Sequence, residues 1–184
     1  MRRSIQGLFH QLPIAFQPVG NGRIPLHGPE RCPLRQGFPN REKPESKAAL
    51  QKNGISADPH LIKVGDYASD KAYKAACDLL EMREQDRPTA IFAFNDLGAI
   101  NVYRAARQHG ISLPEQLSII GFDDVYPAAS MCPSLTTIRQ PFDLIARQCI
   151  DLILEAREGK VEQNYFIFPT QLVERESCVS PARP

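Results

Sequence analysis

The stretch from residue 89 to residue 124 constrains the fold more than any other part of the chain. Its two apolar runs, residues 89–94 and 117–122, have the length and composition of buried strands. Between them lies a stretch with helical spacing that ends at His109-Gly110. Parallel strands joined by a helix form open α/β sheets, in which ligands bind at the carboxyl edge of the strands. The stretch therefore predicts such a sheet, with a polar pocket where its strands end.

Strands and helices alternate from about residue 60 to residue 160. Apolar faces of helical spacing are formed by Tyr73, Ala76, Cys77 and Leu80, by Ala99, Val102, Tyr103 and Ala106, and by Ile145, Cys149, Leu152 and Ala156. The corresponding helices are predicted over about 70–84, 97–109 and 141–158. Residues 46–53 also resemble the end of a helix that stops at Asn53-Gly54. Short strands are predicted over 61–64, 89–94, 117–122, 136–139, 165–168 and 172–175. This order predicts an α/β fold, with a parallel sheet, helices on both of its faces and right-handed crossovers.

The first 46 residues have a different character. Prolines recur every few residues from Pro13 to Pro44 and leave no room for a long helix or strand. We expect a poorly ordered arm over residues 1–46, in which the apolar piece at 12–16 has the composition of an isolated strand. The regular part of the chain is expected to begin at residue 47 and to extend to about residue 180.

The overall composition is typical of a globular protein. The hydrophobic fraction is 42%, the charged fraction is 23% and the net charge is +1, so no basic field favours nucleic acid. No apolar run approaches the roughly 18 residues that span a bilayer. Arg2 and Arg3 resemble the start of a signal peptide, but polar residues and Pro13 interrupt the apolar region that export needs. We therefore expect a cytoplasmic protein.

The cysteines and histidines do not predict a metal site. The five cysteines lie far apart and form no C-x-x-C pair, which argues against both a disulfide framework and a zinc site. The four histidines are scattered as well. Cys77 and Cys149 fall on apolar helix faces and are expected to be small core residues. We expect neither a metal nor a cofactor.

Asp123 and Asp124 directly follow the second strand of the 89–124 stretch. Three interpretations are open: a metal-binding or catalytic pair, an acceptor of hydrogen bonds from ligand hydroxyl groups, or a turn cap beside a solvated carboxylate. The chain has no G-x-S-x-G, no H-E-x-x-H and no phosphate-binding loop. That absence weakens the enzyme interpretation.

Other polar side chains are expected near the same edge of the sheet. Asn95 offers a donor and an acceptor to a ligand, while Asp96 is expected to cap the following helix. Tyr67 follows a predicted strand and would either stack on a sugar ring or base or pack in the core. Arg139 and Gln140 join a strand to a helix, with a solvated Arg139 as the alternative.

Five pieces of the sequence have a specific order and spacing. They are Gly65-Asp66-Tyr67, residues 87–96 (RPTAIFAFND), 110–124 (GISLPEQLSIIGFDD), 133–141 (PSLTTIRQP) and 172–177 (LVERES). Together they make residues 48–180 resemble the lactose/galactose-repressor (LacI/GalR) family of bacterial transcription regulators. The resemblance implies the periplasmic-binding-protein-like fold of type I, in which two α/β lobes close on a small ligand. This chain would supply mainly the C-terminal lobe.

By position, the resemblance also implies a ligand site. Tyr67 matches an aromatic residue that stacks on the effector, and Asn95 matches a polar contact at a strand end. Asp123 matches the carboxylate that accepts hydrogen bonds from ligand hydroxyl or ring N–H groups, and Gln140 matches a position at the pocket edge. The implied effector is sugar-like or nucleoside-like, and the resemblance implies no catalysis.

The family also implies particular partners and a particular domain order. Its members form homodimers, here through the helix near 97–107 and the segment around Met131. They bind DNA through a helix-turn-helix domain, which residues 1–46 cannot accommodate. Before Asn53-Gly54 the family has the pattern R-x-x-G-aromatic. Here Glu42 stands at the Arg position, Glu45 at the Gly position and Ser46 at the aromatic position. We therefore expect a partial effector-binding domain over 47–180, with residues 1–46 derived from a shifted reading frame or a truncated gene.

A transcription-regulator sensor domain is the function that this resemblance implies. One alternative is a stand-alone sugar-binding protein of a transporter, which would require an export signal. The other is a small α/β hydrolase or phosphotransferase that uses Asp123 and Asp124, and it would require a nucleophile or metal partner that the sequence does not show.

Overall fold

The computed structural model of the chain describes residues 14–16, 52, 58–65, 69–160 and 166–180. Its helices are α1 (Ser69–Leu80), α2 (Asp96–Gln108) and α3 (Phe142–Arg157). Its strands are β1 (Ile14–Phe16), β2 (Ala90–Phe92), β3 (Ser118–Asp123), β4 (Thr136–Arg139), β5 (Phe166–Phe168) and β6 (Gln171–Val173). Short 3-10 turns occur at Pro59–Leu61 and Tyr126–Ser130.

The main sheet has the strand order β2–β3–β4–β6. β2, β3 and β4 run parallel, with Phe92 beside Ile120 and Asp123 beside Arg139. β6 runs antiparallel to β4 and forms the edge. The predicted α/β fold with a parallel-dominated sheet is confirmed. Because parallel strands end on the same side, β2, β3 and β4 all direct their carboxyl ends to one edge.

Most of the core lies between this sheet and the helices α1 and α2. The predicted apolar faces of both helices are confirmed, because Ala76, Leu80, Ala99 and Val102 are all buried in one cluster with Ile119 of β3. Tyr73, Cys77 and Tyr103 pack against that cluster in part. α2 ends where the sequence predicts, since Gly110 adopts a φ of 65°, a conformation that favours glycine.

The segment after β6 joins β3 and β4. Ser177 is fully buried, and its hydroxyl donates to the carbonyl of Ile119 at 2.6 Å. The same oxygen accepts the backbone N–H of Thr136 at 2.8 Å. The serine that ends the LVERES piece therefore satisfies two buried backbone groups at once, which an apolar residue could not do.

α3 is less buried than its sequence predicts. Of the predicted face, only Leu152 is buried, while Ile145, Cys149 and Ala156 are half-buried. The other faces of this helix leave its large apolar side chains exposed: Phe142, Leu144, Ile150, Ile153 and Leu154. No helix among the described residues is both long and apolar enough to cross a membrane.

The strand predicted over 61–64 does not form. Pro59–Leu61 makes a 3-10 turn that Asp58 caps by accepting the N–H of His60, and residues 62–65 belong to no strand. Ile62 and Val64 are 47% and 59% exposed. In the described part of the chain no strand pairs with this segment, so its apolar residues lack the sheet partner that would make them a strand.

A separate two-stranded antiparallel ribbon pairs β1 with β5, with Ala15 beside Ile167. The apolar piece predicted at 12–16 is thus a strand over Ile14–Phe16, and the pairing with β5 was not foreseen. The rest of residues 1–46 lies outside the described residues, as does the helix expected before Asn53-Gly54 apart from Lys52, which is helical.

Candidate functional site

Polar side chains from β2, β3 and β4 meet at the carboxyl edge of the sheet, where one side chain from the segment after the antiparallel β6 joins them. We call this group the strand-end cluster: Asn95 and Asp96 after β2, Asp123 and Asp124 at the end of β3, Thr137 and Arg139 on β4, Gln140 after β4, and Arg175 after β6. The parallel register brings the ends of β2, β3 and β4 together. The cluster therefore lies where open α/β sheets bind ligands.

Asp96 is the buried centre of the cluster, with none of its surface exposed. One carboxylate oxygen accepts the Thr137 hydroxyl at 2.6 Å, and the other accepts the N–H of Val125 at 2.9 Å. Burial raises the pKa of Asp96, and the nearby charge of Asp124 raises it further, against the lowering effect of these hydrogen bonds. Asp96 thereby connects the ends of β2, β3 and β4.

Gly121 leaves the space that the Asp96 carboxylate occupies. A methyl group at position 121 would lie 2.9 Å from Leu135 Cδ2, and closer still to the near oxygen of Asp96. Only a residue without a side chain permits this approach. The glycine of the Ile-Ile-Gly-Phe-Asp-Asp run therefore belongs to the construction of the cluster.

Asn95, and not Asp96, caps α2. Its side-chain oxygen accepts the N–H of Gly98 at 2.6 Å, while its backbone remains extended. The prediction that Asp96 caps this helix was wrong because its carboxylate turns inward to Thr137. This bond uses the oxygen of the amide, and the amide nitrogen is a hydrogen-bond donor.

Asp123 and Gln140, two of the predicted site residues, contact each other in the structure. The Gln140 amide nitrogen donates to an Asp123 carboxylate oxygen at 2.5 Å, and both residues are half-buried. Burial raises the pKa of Asp123, as does the charge of Asp96, while the Gln140 hydrogen bond opposes them. Asp123 is thus a partly desolvated carboxylate with room to accept further hydrogen bonds.

Asp124 has a different environment from its neighbour. Its carboxylate accepts hydrogen bonds from Arg139 Nε and Arg175 Nη2, each at 2.6 Å, and its side chain is only 8% exposed. Burial alone would raise the pKa of Asp124, but the hydrogen bonds and charges of the two arginines outweigh it and lower that pKa. The interpretation of a solvated second carboxylate was wrong, whereas Arg139, although it is paired with Asp124, remains 51% exposed.

The turn that carries both aspartates has an unusual backbone. The φ angles of Asp123 and Asp124 are 117° and 58°, both in the region that disfavours residues other than glycine. The two side chains consequently reach different partners. Because two arginines already neutralise Asp124, the pair does not present two free carboxylates to a metal ion, and no group of metal ligands occurs among the described residues.

The structure describes three of the four predicted site residues. Asn95, Asp123 and Gln140 lie at the predicted edge of the sheet, and Tyr67 lies outside the described residues. Sequence reasoning missed Arg175, which also donates to the carbonyl of Leu135 at 2.7 Å. It also missed that the Asp96 side chain points inward. Gly121 in β3 was a signal for this, because a glycine inside a strand often marks the close approach of other atoms.

A comparison with protein families gives a match to the periplasmic binding protein-like domain over residues 20–178. The HTH-type transcriptional regulator MalR of Clostridium butyricum is 37% identical over 132 residues, which are 72% of this chain and 39% of MalR. The HTH-type transcriptional repressor CytR of Escherichia coli K12 is 36% identical over 139 residues, 73% of this chain and 38% of CytR. The chain thus spans about two fifths of the length of these relatives.

Solved structures give the same result. A LacI-family regulatory protein from Chloroflexus aggregans superposes with a TM-score of 0.65 at 31% identity, over 73% of this chain and 49% of that one. The complex of the regulator CelR with cellobiose superposes with a TM-score of 0.64 at 29% identity, over 72% of this chain and 40% of that one. The lac repressor dimer bound to operator and the anti-inducer ONPF superposes with a TM-score of 0.64 at 26% identity, over 74% of this chain and 46% of that one.

Proposed function

The chain belongs to the periplasmic-binding-protein-like domain family and is homologous to LacI-family regulators, and from this membership we propose that it is the effector-binding part of a transcription regulator. The strand-end cluster is the proposed binding surface. Its ligand is a small molecule rich in hydroxyl groups, a sugar or a nucleoside-like compound. CelR, which binds cellobiose, supports this ligand class.

One observation carries the proposal: Asp123 is the carboxylate of the cluster that no cation neutralises and that is only half-buried. Asp96 is fully buried, and Asp124 is paired with Arg139 and Arg175. A carboxylate held in this way accepts hydrogen bonds from pairs of sugar hydroxyl groups. The Gln140 amide fixes its orientation before the ligand arrives, which lowers the entropic cost of binding.

Two further side chains complete the proposed contacts. The Asn95 amide nitrogen donates to a ligand oxygen while the oxygen of the same amide caps α2. Tyr67 stacks on the ring of the ligand, because sugars and bases present flat apolar faces that aromatic rings cover. Together with Asp123 and Gln140, these residues supply acceptors, donors and a stacking surface.

We further propose that effector binding changes the affinity of the regulator for DNA. In such a regulator the effector binds one of two lobe arrangements more tightly and so shifts the population toward it. DNA is bound by a separate helix-turn-helix segment, and the protein acts in the cytoplasm as a homodimer. Leu97 is 59% exposed at the start of α2, and together with Met131 it marks the proposed dimer surface.

The proposed role is not enzymatic. The relatives are transcription regulators, and the two aspartates that suggested catalysis have separate partners in the structure. A transporter-type sugar-binding protein would share the fold. The similarity to regulators such as MalR and CytR favours the regulator over that alternative.

A ligand screen with matched variants tests the proposal. The full 184-residue chain is heated with a panel of mono- and disaccharides and nucleosides, and the unfolding midpoint is recorded. A true effector at 100 times its Kd stabilises the chain by about 2.7 kcal/mol. Asp123→Asn should remove that stabilisation, whereas Asp86→Asn, a matched change at an exposed ion pair with Arg83, should preserve it. Stabilisation by no compound, or an equal effect in Asp123→Asn, contradicts the proposal.

A further inference from the structure

The turn that carries Asp123 and Asp124 is held by side chains from three other parts of the fold. Asp96, at the start of α2, accepts a backbone N–H from the far end of the turn at 2.9 Å. Arg139, at the end of β4, and Arg175, after β6, each donate to the Asp124 carboxylate at 2.6 Å. The carboxylate of the proposed effector site therefore lies beside a residue that the sheet holds in place.

Arg175 is the more firmly fixed of the two arginines. Its Nη1 donates to the carbonyl of Leu135 at 2.7 Å, and its backbone N–H donates to the hydroxyl oxygen of Thr136 at 2.9 Å. Its side chain is largely buried, whereas that of Arg139 is half exposed. The planar guanidinium thus joins the backbone at the start of β4 to the Asp124 carboxylate, an arrangement that needs two donors in a fixed geometry.

The backbone of the turn needs such a restraint. Asp123 and Asp124 have φ angles of 117° and 58°, which residues other than glycine adopt only at an energetic cost. Conformations of this kind persist where the surrounding contacts over-determine them. With these angles the Asp123 carboxylate accepts the Gln140 amide while Asp124 reaches the arginines. Without the restraint on Asp124, the turn would relax and move Asp123 away from Gln140.

We propose that Arg175 is a positioning residue of the effector site, one that holds Asp124 and, through the turn, keeps Asp123 oriented toward the ligand. This inference rests on the proposed function, in which Asp123 accepts hydrogen bonds from the effector. Arg175 itself does not contact the effector, because its guanidinium is largely buried against Asp124 and the Leu135 carbonyl. It acts on affinity through the position of the acceptor.

Nuclear magnetic resonance of the full chain without ligand tests the positioning directly. The side-chain amide signal of Gln140 reports its hydrogen bond to the Asp123 carboxylate, since a charge-assisted bond shifts it from the position of a solvated glutamine. Arg175→Gln should remove that shift. Arg83→Gln, which deletes the same charge at an exposed ion pair, should preserve it. An unchanged Gln140 signal in Arg175→Gln overturns the proposal, and circular dichroism verifies that each variant is folded.

A second variant separates positioning from general support of the fold. Asp124→Gly in the Arg175→Gln background removes the carboxylate left without its buried partner, and glycine adopts a φ of 58° without steric cost. This double variant should regain part of the Gln140 shift that Arg175→Gln loses. A Gln140 signal that stays at the solvated position contradicts an action through the turn.

Calorimetric titration with cellobiose, ribose and adenosine then measures the effect on binding. The Kd of a probe that binds the unmodified chain should rise roughly tenfold in Arg175→Gln, recover in part in the double variant and stay unchanged in Arg83→Gln. Binding with an unchanged Kd in Arg175→Gln overturns the positioning role. Binding of no probe, together with the expected Gln140 shifts, contradicts the proposed ligand class while it supports the positioning of Asp123 by Arg175.

Discussion

At the scale of single residues, Asp96 and Gly121 form one structural unit. The buried carboxylate occupies the space that a side chain at position 121 would fill, and from there it bonds to Thr137 and to the N–H of Val125. A buried carboxylate is costly unless its oxygens are satisfied. The close contact with Gly121 is what allows both bonds, and both hold the Asp123–Asp124 turn in position.

Gly121→Ala should therefore destabilise the chain by about 1–3 kcal/mol, the usual cost of forcing extra atoms into a packed site. Chemical denaturation measures this change. In an Asp96→Ala background the same glycine change should cost less, because the main collision is gone. Additive costs in this double-mutant cycle would contradict the proposed contact.

The ion pairs of Asp124 should make stability depend on pH in a defined direction. Its lowered pKa means that the folded chain binds this proton less tightly than the unfolded chain does. Asp124 thus contributes stability above about pH 4, the ordinary Asp value, and this contribution is lost as pH falls through the lowered pKa.

Asp124→Asn should cost roughly 3 kcal/mol near pH 7, because Arg175, only 16% exposed, loses its partner. The difference from the unmodified chain should shrink below about pH 4. Urea denaturation at pH 7 and at pH 3 measures both values. Asp86→Asn, at an exposed pair, should cost less than about 1 kcal/mol. A cost for Asp124→Asn that does not vary with pH would contradict this account.

At the scale of elements, α2 supports the strand-end cluster. Its N-cap residue Asn95 belongs to that cluster. Its buried face, which includes Ala99, Val102 and Ala106, packs in the core cluster. The core therefore fixes the position of the helix and, with it, the position of Asn95.

Variants of Asn95 should separate its capping role from its ligand role. Asn95→Ala removes the cap and should lower stability by about 1 kcal/mol. Asn95→Asp retains a capping oxygen and should preserve stability, but it lacks the amide donor and should weaken effector binding. Thermal unfolding and a ligand titration measure the two effects. Full effector affinity in Asn95→Asp would exclude the donor role.

At the scale of the whole molecule, α3 presents apolar surface that the described residues do not cover. Ile150, Ile153 and Leu154 are each about half exposed on a helix with a single buried residue, Leu152. Contiguous apolar surface of this kind promotes association. We expect the 184-residue chain to bind the dye ANS and to associate at high concentration.

Replacing Ile150 and Leu154 by Glu should reduce both ANS fluorescence and association, with a change in stability of less than about 1 kcal/mol, because both side chains already contact water. Leu152→Glu is the matched control at the buried position and should destabilise the chain strongly. Light scattering and ANS titration are the measurements. Unchanged ANS binding in the double variant would place the exposed surface elsewhere.

The sequence by itself determined the elements and the edge at which the site lies. Helical spacing identified the buried faces of α1 and α2, because periodicity reflects which side of a helix packs. Apolar runs followed by Asn95-Asp96 and Asp123-Asp124 placed polar groups at the carboxyl edge. The pattern failed for residues 61–64 and in part for α3, because an apolar residue becomes buried only where another surface covers it.

The tertiary structure alone decided what each aspartate does. Asp96 reaches a hydroxyl 41 residues away, and Asp124 reaches a guanidinium 51 residues away. Such partners leave no mark on the local pattern, since adjacent aspartates look alike in the sequence until distant strands bring their partners. Desolvation raises the pKa of Asp96 and of Asp123, whereas the two arginines lower the pKa of Asp124. We propose Asp123 as the carboxylate that binds a ligand because Thr137, Arg139 and Arg175 satisfy the other two.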